Sequence, residues 1–345
     1  MMEGLYKVDN IQGKGLGWIA LEDIKVGTLI CKEKLQFVYK EPFKIWNLME
    51  AFSSMSKNDQ QKFLELSNVF LDLDSLPDER KKRYFDWKNT AESQCNYDSD
   101  LVLKIMSIHS SNGFNGYDAV GIRVGEVGVK VSRINHSCGP NSQHFKNNEG
   151  EMEIRATSNI LEGQEITISY ISSLENFKER QEFCLNLGFV CSCEVCQNEE
   201  INNDDEIYQK FQNLKDEAET SFSNVTNDPP NPRVPSSFVK TFDQIEKALT
   251  CQKQMYNLAK TKSAPKSFIL NLIDRAFIYA SCGYASAIML SYKKEFIGKM
   301  EVECEKLSKI GLQIAKMVGG QENSVTKEWK ERNQDFQNWY KKNCL

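Results

Sequence analysis

Three cysteines within six residues, Cys191-Ser192-Cys193-Glu194-Val195-Cys196, constrain this chain more than any other segment. An ordinary core that buried three thiols so closely would have little else to pack there. A metal ion, by contrast, takes soft ligands at that spacing. A closed structural zinc site needs four tetrahedral ligands, so the triplet requires one more Cys or His. Cys138, in Asn135-His136-Ser137-Cys138, is the candidate, and it would draw two distant segments into one site. A redox dithiol is the competing reading, but it needs only two thiols, and the triplet argues against it. The other seven of the eleven cysteines (Cys31, Cys95, Cys184, Cys251, Cys282, Cys304, Cys344) are scattered and read as mostly structural.

Free thiolates as ligands imply a reducing compartment. The start, MMEGLYKVDN, has no apolar core of a secretory signal. The least charged long stretch, Phe277 to Tyr292, is shorter than a membrane span and is broken by Ser281, Gly283 and Ser286. We therefore expect an intracellular protein, cytoplasmic and/or nuclear, with no membrane association. Lys and Arg total 43 against 48 Asp and Glu, net charge −5, so the basic balance of a general nucleic-acid binder is missing and direct nucleic-acid binding is not expected. A 40% hydrophobic and 26% charged chain of 345 residues has room for a full core and for two domains.

Residues 1–44 read as β-rich, with short apolar segments separated by Gly13-Lys14-Gly15-Leu16-Gly17 and Val26-Gly27-Thr28. From Ile45 to about Leu73 the spacing of Trp46, Met49, Phe52, Phe63, Leu66 and Phe70 predicts amphipathic helices. The charged stretch Asp78 to Lys88 follows, then a helix over Leu101 to His109 and a turn at Ser111-Asn112-Gly113. Residues 114–172 return to short strands, among them AVGIRV, GVKVSRI, MEIRAT and EITISYI. Leu174 to Leu187 reads as helical. After Glu200 helices are expected over 206–222, 238–260, 266–282, 284–318 and 323–342, with Asp228-Pro229-Pro230-Asn231-Pro232 between the first two. The stripe Leu307, Ile310, Ile314, Met317 reads as helix-to-helix core.

Three further features bear on chemistry. Arg133-Ile134-Asn135-His136-Ser137-Cys138-Gly139-Pro140-Asn141 places Asn135 and His136 on a strand end, where backbone groups can fix them. No third orienting group marks a Cys-His nucleophile there. The glycine run allows close backbone approach. A dinucleotide turn would need a helix next, yet Trp18-Ile19-Ala20-Leu21 continues as a strand, and no Walker spacing exists. Glu165-Ile166-Thr167-Ile168-Ser169-Tyr170 alternates as a strand with Ile166, Ile168 and Tyr170 on one face.

In this order and spacing, the G-x-G, N-H-S-C-x-P-N, E-I-T-x-S-Y and C-x-C-x-x-C features resemble the SET-domain protein lysine methyltransferases. The chain is most similar to the SET-and-MYND subgroup and its shorter relatives, over about residues 1–200. The MYND zinc finger is absent, since residues 45–94 contain neither Cys nor His. The resemblance implies an α+β fold. It comprises a β-rich SET core (1–44 and 96–172) split by a helical insertion (45–95), a zinc-binding post-SET segment (173–200) and an all-α C-terminal domain (201–345).

The resemblance also implies S-adenosylmethionine as cofactor and transfer of a methyl group to a lysine of a protein or peptide substrate. It maps the cofactor contacts onto Lys14, Gly15, Leu16, Gly17, Asn112, Ser132, Ile134, Asn135, His136, Tyr170 and Phe189. By the same resemblance Tyr170 maps to the catalytic tyrosine, and Phe183 and Leu187 to the substrate channel. Cys138, Cys191, Cys193 and Cys196 are expected to hold one structural zinc. The subgroup carries a tyrosine two residues before Phe189, where this chain has Leu187, so di- or trimethylation is expected rather than strict monomethylation. A monomer is expected. A SET-fold scaffold without turnover and a metal-dependent adaptor without cofactor are the alternatives, and intact Tyr170, Asn135, His136, Gly15 and Gly17 weigh against the scaffold.

Overall fold

The computed structural model describes residues 4–40, 44–68, 72–76, 78–89, 97–117, 123–147, 149–171, 175–202, 205–227, 235–262, 264–289, 293–320 and 324–344. Strands β1 (Tyr6–Ile11) and β2 (Gly15–Ala20) form an antiparallel hairpin with Ile11 opposite Gly15. Gly13 and Gly15 have φ of +77° and +74°, which L side chains rarely adopt, so the glycine run makes a hairpin turn. β2 then pairs antiparallel with β10 (Glu165–Ile168), and β10 pairs parallel with the two-residue β7 (Asn135–His136).

Two three-stranded antiparallel sheets complete the strand-rich part. One has the order β3 (Leu29–Lys34), β9 (Glu151–Ala156), β8 (Ser142–Lys146). The other has the order β4 (Phe37–Lys40), β6 (Arg123–Val127), β5 (Phe114–Tyr117). Alternation drives the packing: Trp18 and Ala20 of β2 turn inward onto Ile166 and Ile168 of β10 and Ile154 and Ala156 of β9. Tyr6 stacks on Trp18 at 3.6 Å between ring centroids.

Helices α1 (Ile45–Ser53), α2 (Lys57–Leu64), α3 (Asp78–Lys88) and α4 (Ser99–Asn112) lie between β4 and β5 in the chain. Ile45, Leu48, Met49 and Phe52 form the buried face of α1, meeting Phe63, Ile105, Met106, Phe37 and Val127. Trp46, expected on that face, is one position off it and 43% exposed. Phe70 lies outside the described residues. The charged stretch 78–88 is helical, with Asp78 and Glu79 in its first turn and Lys88 in its last, as the helix dipole favours. α4 runs three residues beyond the expected end, to Asn112.

GVKVSRI is not a strand. The Glu33 carboxylate accepts from the backbone N–H of Lys130 (3.0 Å) and Val131 (2.9 Å), so these donors are taken and Val131–Arg133 curls into a 3-10 turn.

Beyond α5 (Phe177–Asn186) and α6 (Glu194–Asn202), α7 (Asp205–Asn227), α8 (Pro235–Thr261), α9 (Lys266–Met289), α10 (Lys294–Gly319) and α11 (Ser324–Cys344) pack each against the next. α10 also rests on β8 and β9. Leu307 is buried in this helical core, with Ile310 and Ile314 partly buried beside it. The expected break near Gly283 does not occur. A Cβ there would sit 3.0 Å from Ile245 and 3.3 Å from Met300, so the glycine serves close helix packing inside α9. The Pro-rich segment 228–232 lies outside the described residues. No helix among the described residues is long and apolar enough to cross a membrane.

Candidate functional site

Helix α5 organises the site because its two faces serve different neighbours. Its start is fixed by a capping box in which Asn176 accepts from the Glu179 N–H and Glu179 accepts from the Asn176 N–H. Its end is a Schellman turn. Gly188, at φ +84°, lets the Phe189 N–H reach Cys184 O (3.1 Å) and its own N–H reach Leu185 O (2.9 Å). Phe177, Arg180 and Cys184 face the cysteine cluster, while Phe183 and Leu187, one turn apart, line a cavity of about 1160 Å³. The glycine turn then carries Phe189 back towards His136, at 6.0 Å between ring centroids, and edge-on to Tyr170 at 6.3 Å.

The four expected ligands meet. The sulfurs of Cys138, Cys191, Cys193 and Cys196 all lie within 4.8 Å of one another, and all four residues are buried. Cys138 Sγ is 3.5 Å from Cys196 Sγ and 3.9 Å from Cys191 Sγ. A zinc tetrahedron with arms of about 2.3 Å has edges of about 3.8 Å, so the spacing and the soft donor set both fit this metal. Contacts with Cys138 draw Cys193 down to about 5, while contacts with Cys191, then Cys193 and Cys196, push Cys138 up. A central divalent cation would remove that conflict between crowded thiols.

The Gln181 side chain clamps Cys191 by donating to its carbonyl (2.8 Å) and accepting its N–H (3.1 Å). Arg180 points Nη2 at Cys196 Sγ (3.9 Å) and ion-pairs with Glu199 (2.6 Å). Cys184, grouped with the scattered cysteines by sequence, is fully buried in this cluster. Its place one turn from Arg180 on α5 was the signal available.

His136 links the cysteines to the other motifs. Its Nδ1 accepts the Tyr170 backbone N–H at 3.0 Å, so the ring proton belongs on Nε2, which faces Cys138 Sγ at 3.3 Å. His136 also lies within 4.8 Å of Cys184 and Cys191. With both ring nitrogens engaged it supports the cluster as an outer partner.

Tyr170 follows the end of β10. Its hydroxyl donates to Ile134 O at 2.6 Å. Burial, and then the Glu165 charge, hold that hydroxyl well above its ordinary pKa, so it is a hydrogen-bond donor and not a base. Tyr170, Ile134, Ser132 and Asn112 line the same cavity as Phe183 and Leu187. The Asn112 amide is occupied by Ser67 O (2.7 Å) and Ile108 O (2.8 Å), and Ser132 donates to Asn112 O (3.1 Å).

A second patch gathers the glycine run. Lys14 Nζ lies 2.7 Å from Glu165 Oε2, and Asn135 Nδ2 donates to Glu165 Oε1 at 2.9 Å. Gly17 is buried beneath them: a Cβ would come within 2.5 Å of Asn135 Nδ2 and 2.7 Å of Ile11. Gly15 and Leu16 are exposed at its edge. A cation and an amide thus sit together beside the exposed Gly15-Leu16 edge, which suits a small polar or anionic group.

Sequence reasoning missed Glu165, which joins Lys14 to Asn135. It also missed Asn141, whose side chain accepts the Thr167 N–H (2.9 Å) and donates to Glu165 O (2.8 Å), locking β10 beside β7.

The family model described as SET domain matches residues 15–171. A SET domain-containing protein of Acanthamoeba polyphaga mimivirus is 29% identical over 223 residues, covering 59% of this chain and 81% of that protein. The histone-lysine N-methyltransferase set5 of Schizosaccharomyces pombe is 30% identical over 198 residues, 57% of this chain and 51% of that one. The histone-lysine N-methyltransferase Smyd1 of Mus musculus is 31% identical over 116 residues, 29% of this chain and 24% of that one. The chain therefore spans about half, or less, of the length of these two methyltransferases. A solved SET domain bound to lysine and AdoHcy overlaps 100% of this chain and 89% of that one at 11% identity, with a TM-score of 0.34, too low to decide anything.

Proposed function

From the match of residues 15–171 to the SET domain, we propose that this chain is an S-adenosylmethionine-dependent protein-lysine N-methyltransferase. The observation that carries the reading is the placement of the Tyr170 hydroxyl. It is buried, protonated and aimed by Ile134 O at the wall of a cavity whose neighbouring lining includes Phe183 and Leu187.

S-adenosylmethionine would supply an activated methyl group on a sulfonium. Lys14 and Asn135 are the donors for its amino-acid end, and Phe189 is the apolar wall for its base. Gly15, Leu16, Gly17 and His136 shape that patch, with Asn112, Ser132 and Ile134 on its cavity side. The apolar side chains of the wall, Phe183, Leu187 and Ile168 among them, disfavour the ammonium form of an entering lysine and so favour the neutral amine that can accept a methyl group. The Tyr170 hydroxyl then orients the reacting groups without having to act as a strong base. Cys138, Cys191, Cys193 and Cys196 would hold one structural zinc that fixes the chain on either side of Phe189. A reducing compartment, cytoplasm or nucleus, suits those thiolates.

The test is transfer of labelled methyl from S-adenosylmethionine to lysine-containing peptides, with cofactor binding followed by calorimetry. Tyr170→Phe is expected to bind the cofactor almost as the parent does while losing about 10²–10³ in rate, the usual cost of one preorganised polar group at the reacting centre. Unchanged turnover in Tyr170→Phe would remove this residue from the chemistry, and a parent protein that does not bind S-adenosylmethionine would overturn the reading.

A further inference from the structure

The cavity beside Tyr170 is walled partly by the C-terminal helices. Lys260 near the end of α8 and Ala264, Pro265 and Lys266 at the start of α9 line it opposite the strand-rich part of the chain. The charged lining can be followed group by group. Lys146 is ion-paired with the buried Glu126, so those two cancel. His144, held down at about 4 by burial, is neutral. Glu194 is an exposed carboxylate in the first turn of α6.

Lys260 and Lys266 remain, and neither has a carboxylate partner among the described residues. They are close enough to feel each other: burial first, and then the Lys260 charge, lower the Lys266 pKa. In a chain of net charge −5, the lining thus carries Lys146, Lys260 and Lys266 against Glu126 and Glu194.

We propose that the substrate presents an acidic residue within about three positions of its target lysine, and that this residue seats against Lys260 and Lys266. The inference rests on the methyl-transfer reading above. A rounded cavity of about 1160 Å³ is about 13 Å across, and an extended peptide advances about 3.4 Å per residue, so about three to four residues span it. Only positions close to the target lysine share that space with it. An aspartate or glutamate there supplies the countercharge that these two lysines lack among the described residues. An arginine or lysine would be repelled at short range.

The same pair of ammonium groups also repels a protonated target lysine and tolerates a neutral one. It therefore acts in the same direction as the apolar side chains of the wall. A flanking carboxylate that pairs with Lys260 or Lys266 leaves the entering amine to the Tyr170 side of the cavity.

The experiment uses the full chain with S-adenosylmethionine and three sets of peptides. Each has one central lysine, flanked within three positions by glutamate, glutamine or arginine, and kcat/KM is read by mass spectrometry. The parent is expected to prefer the glutamate set to the arginine set by about tenfold, with the gap closing as salt is raised. In Lys260→Glu/Lys266→Glu the order is expected to invert. In Lys266→Gln the ratio should fall to about threefold with KM, rather than kcat, carrying the change. A parent that methylates the three sets equally or favours arginine, or a charge-reversed variant that keeps the parent's ratio, would overturn the proposal. A parent that methylates none of the peptides and binds no S-adenosylmethionine overturns the methyl-transfer reading itself, and this proposal falls with it.

Discussion

Arg180→Met is the most informative single perturbation of this molecule. The guanidinium makes a 2.6 Å ion pair with Glu199 and hydrogen bonds to Tyr208 Oη (3.0 Å) and Glu175 O (2.5 Å). Both charged side chains are nearly sealed from water, at 6% and 5% exposure. Glu199 also accepts the Tyr208 hydroxyl (2.7 Å) and lies 3.6 Å from Lys262.

Removing only the arginine strands a buried carboxylate, a change that costs about 3–5 kcal/mol. Lys262 lies at longer range and offsets part of this, so the lower end, about 3 kcal/mol, is the expectation. Removing both charges as Arg180→Met/Glu199→Leu should restore at least half of the loss, because apolar residues of similar volume replace a pair that was costly to desolvate. The assay is urea unfolding followed by far-UV circular dichroism, as a double-mutant cycle. A single-mutant loss below about 1 kcal/mol would refute the claim that the pair is desolvated. A double mutant as unstable as the two single losses added together would refute the claim that they act on each other.

Three other outcomes follow from particular contacts. Cys193→Ser removes one of four sulfurs, so purified protein should carry less than one zinc per chain and bind S-adenosylmethionine more weakly, measured by atomic absorption and calorimetry; a zinc-free parent that still binds the cofactor would contradict this. Leu187→Tyr adds a hydroxyl to the cavity wall beside Phe183, and should shift the product from di- or trimethyllysine towards monomethyllysine in long reactions, read by mass spectrometry. Gly311→Ala would normally strengthen a helix by about 1 kcal/mol. Here the added Cβ would overlap the Trp329 ring, so a net loss of about 1–3 kcal/mol and a lower Tm are expected, and a rise in Tm would show that α11 gives way freely.

How much was legible in the sequence follows from the range of each interaction. The helix α1, the strands β2 and β10 and the clustering of Cys191, Cys193 and Cys196 were readable, because each declares itself in local periodicity or spacing. GVKVSRI was misread because its fate is decided by Glu33, a carboxylate from β3 that captures two backbone donors of a distant segment. The break placed at Gly283 failed for the same kind of reason: that glycine answers to Ile245 and Met300 on neighbouring helices, not to its own. Cys184 has no motif around it, and only the helical phase that puts it one turn from Arg180 brings it to the metal-ligand candidates.

The site's coupling is longer-ranged still. Asn135 and His136 are neighbours in a two-residue strand, yet their side chains serve different ends. Asn135 joins Lys14 through Glu165, while His136 joins the Tyr170 backbone to Cys138. A strand sends consecutive side chains to opposite faces, so β7 touches both patches at once. It is held in place by β10, and β10 by the Asn141 clamp. The order N-H-S-C-G-P-N therefore has a mechanical reason. Asn and His must alternate across the strand, Cys138 must follow within reach of the His ring, and Asn141 must come just after the turn to lock the strand that leads into Tyr170.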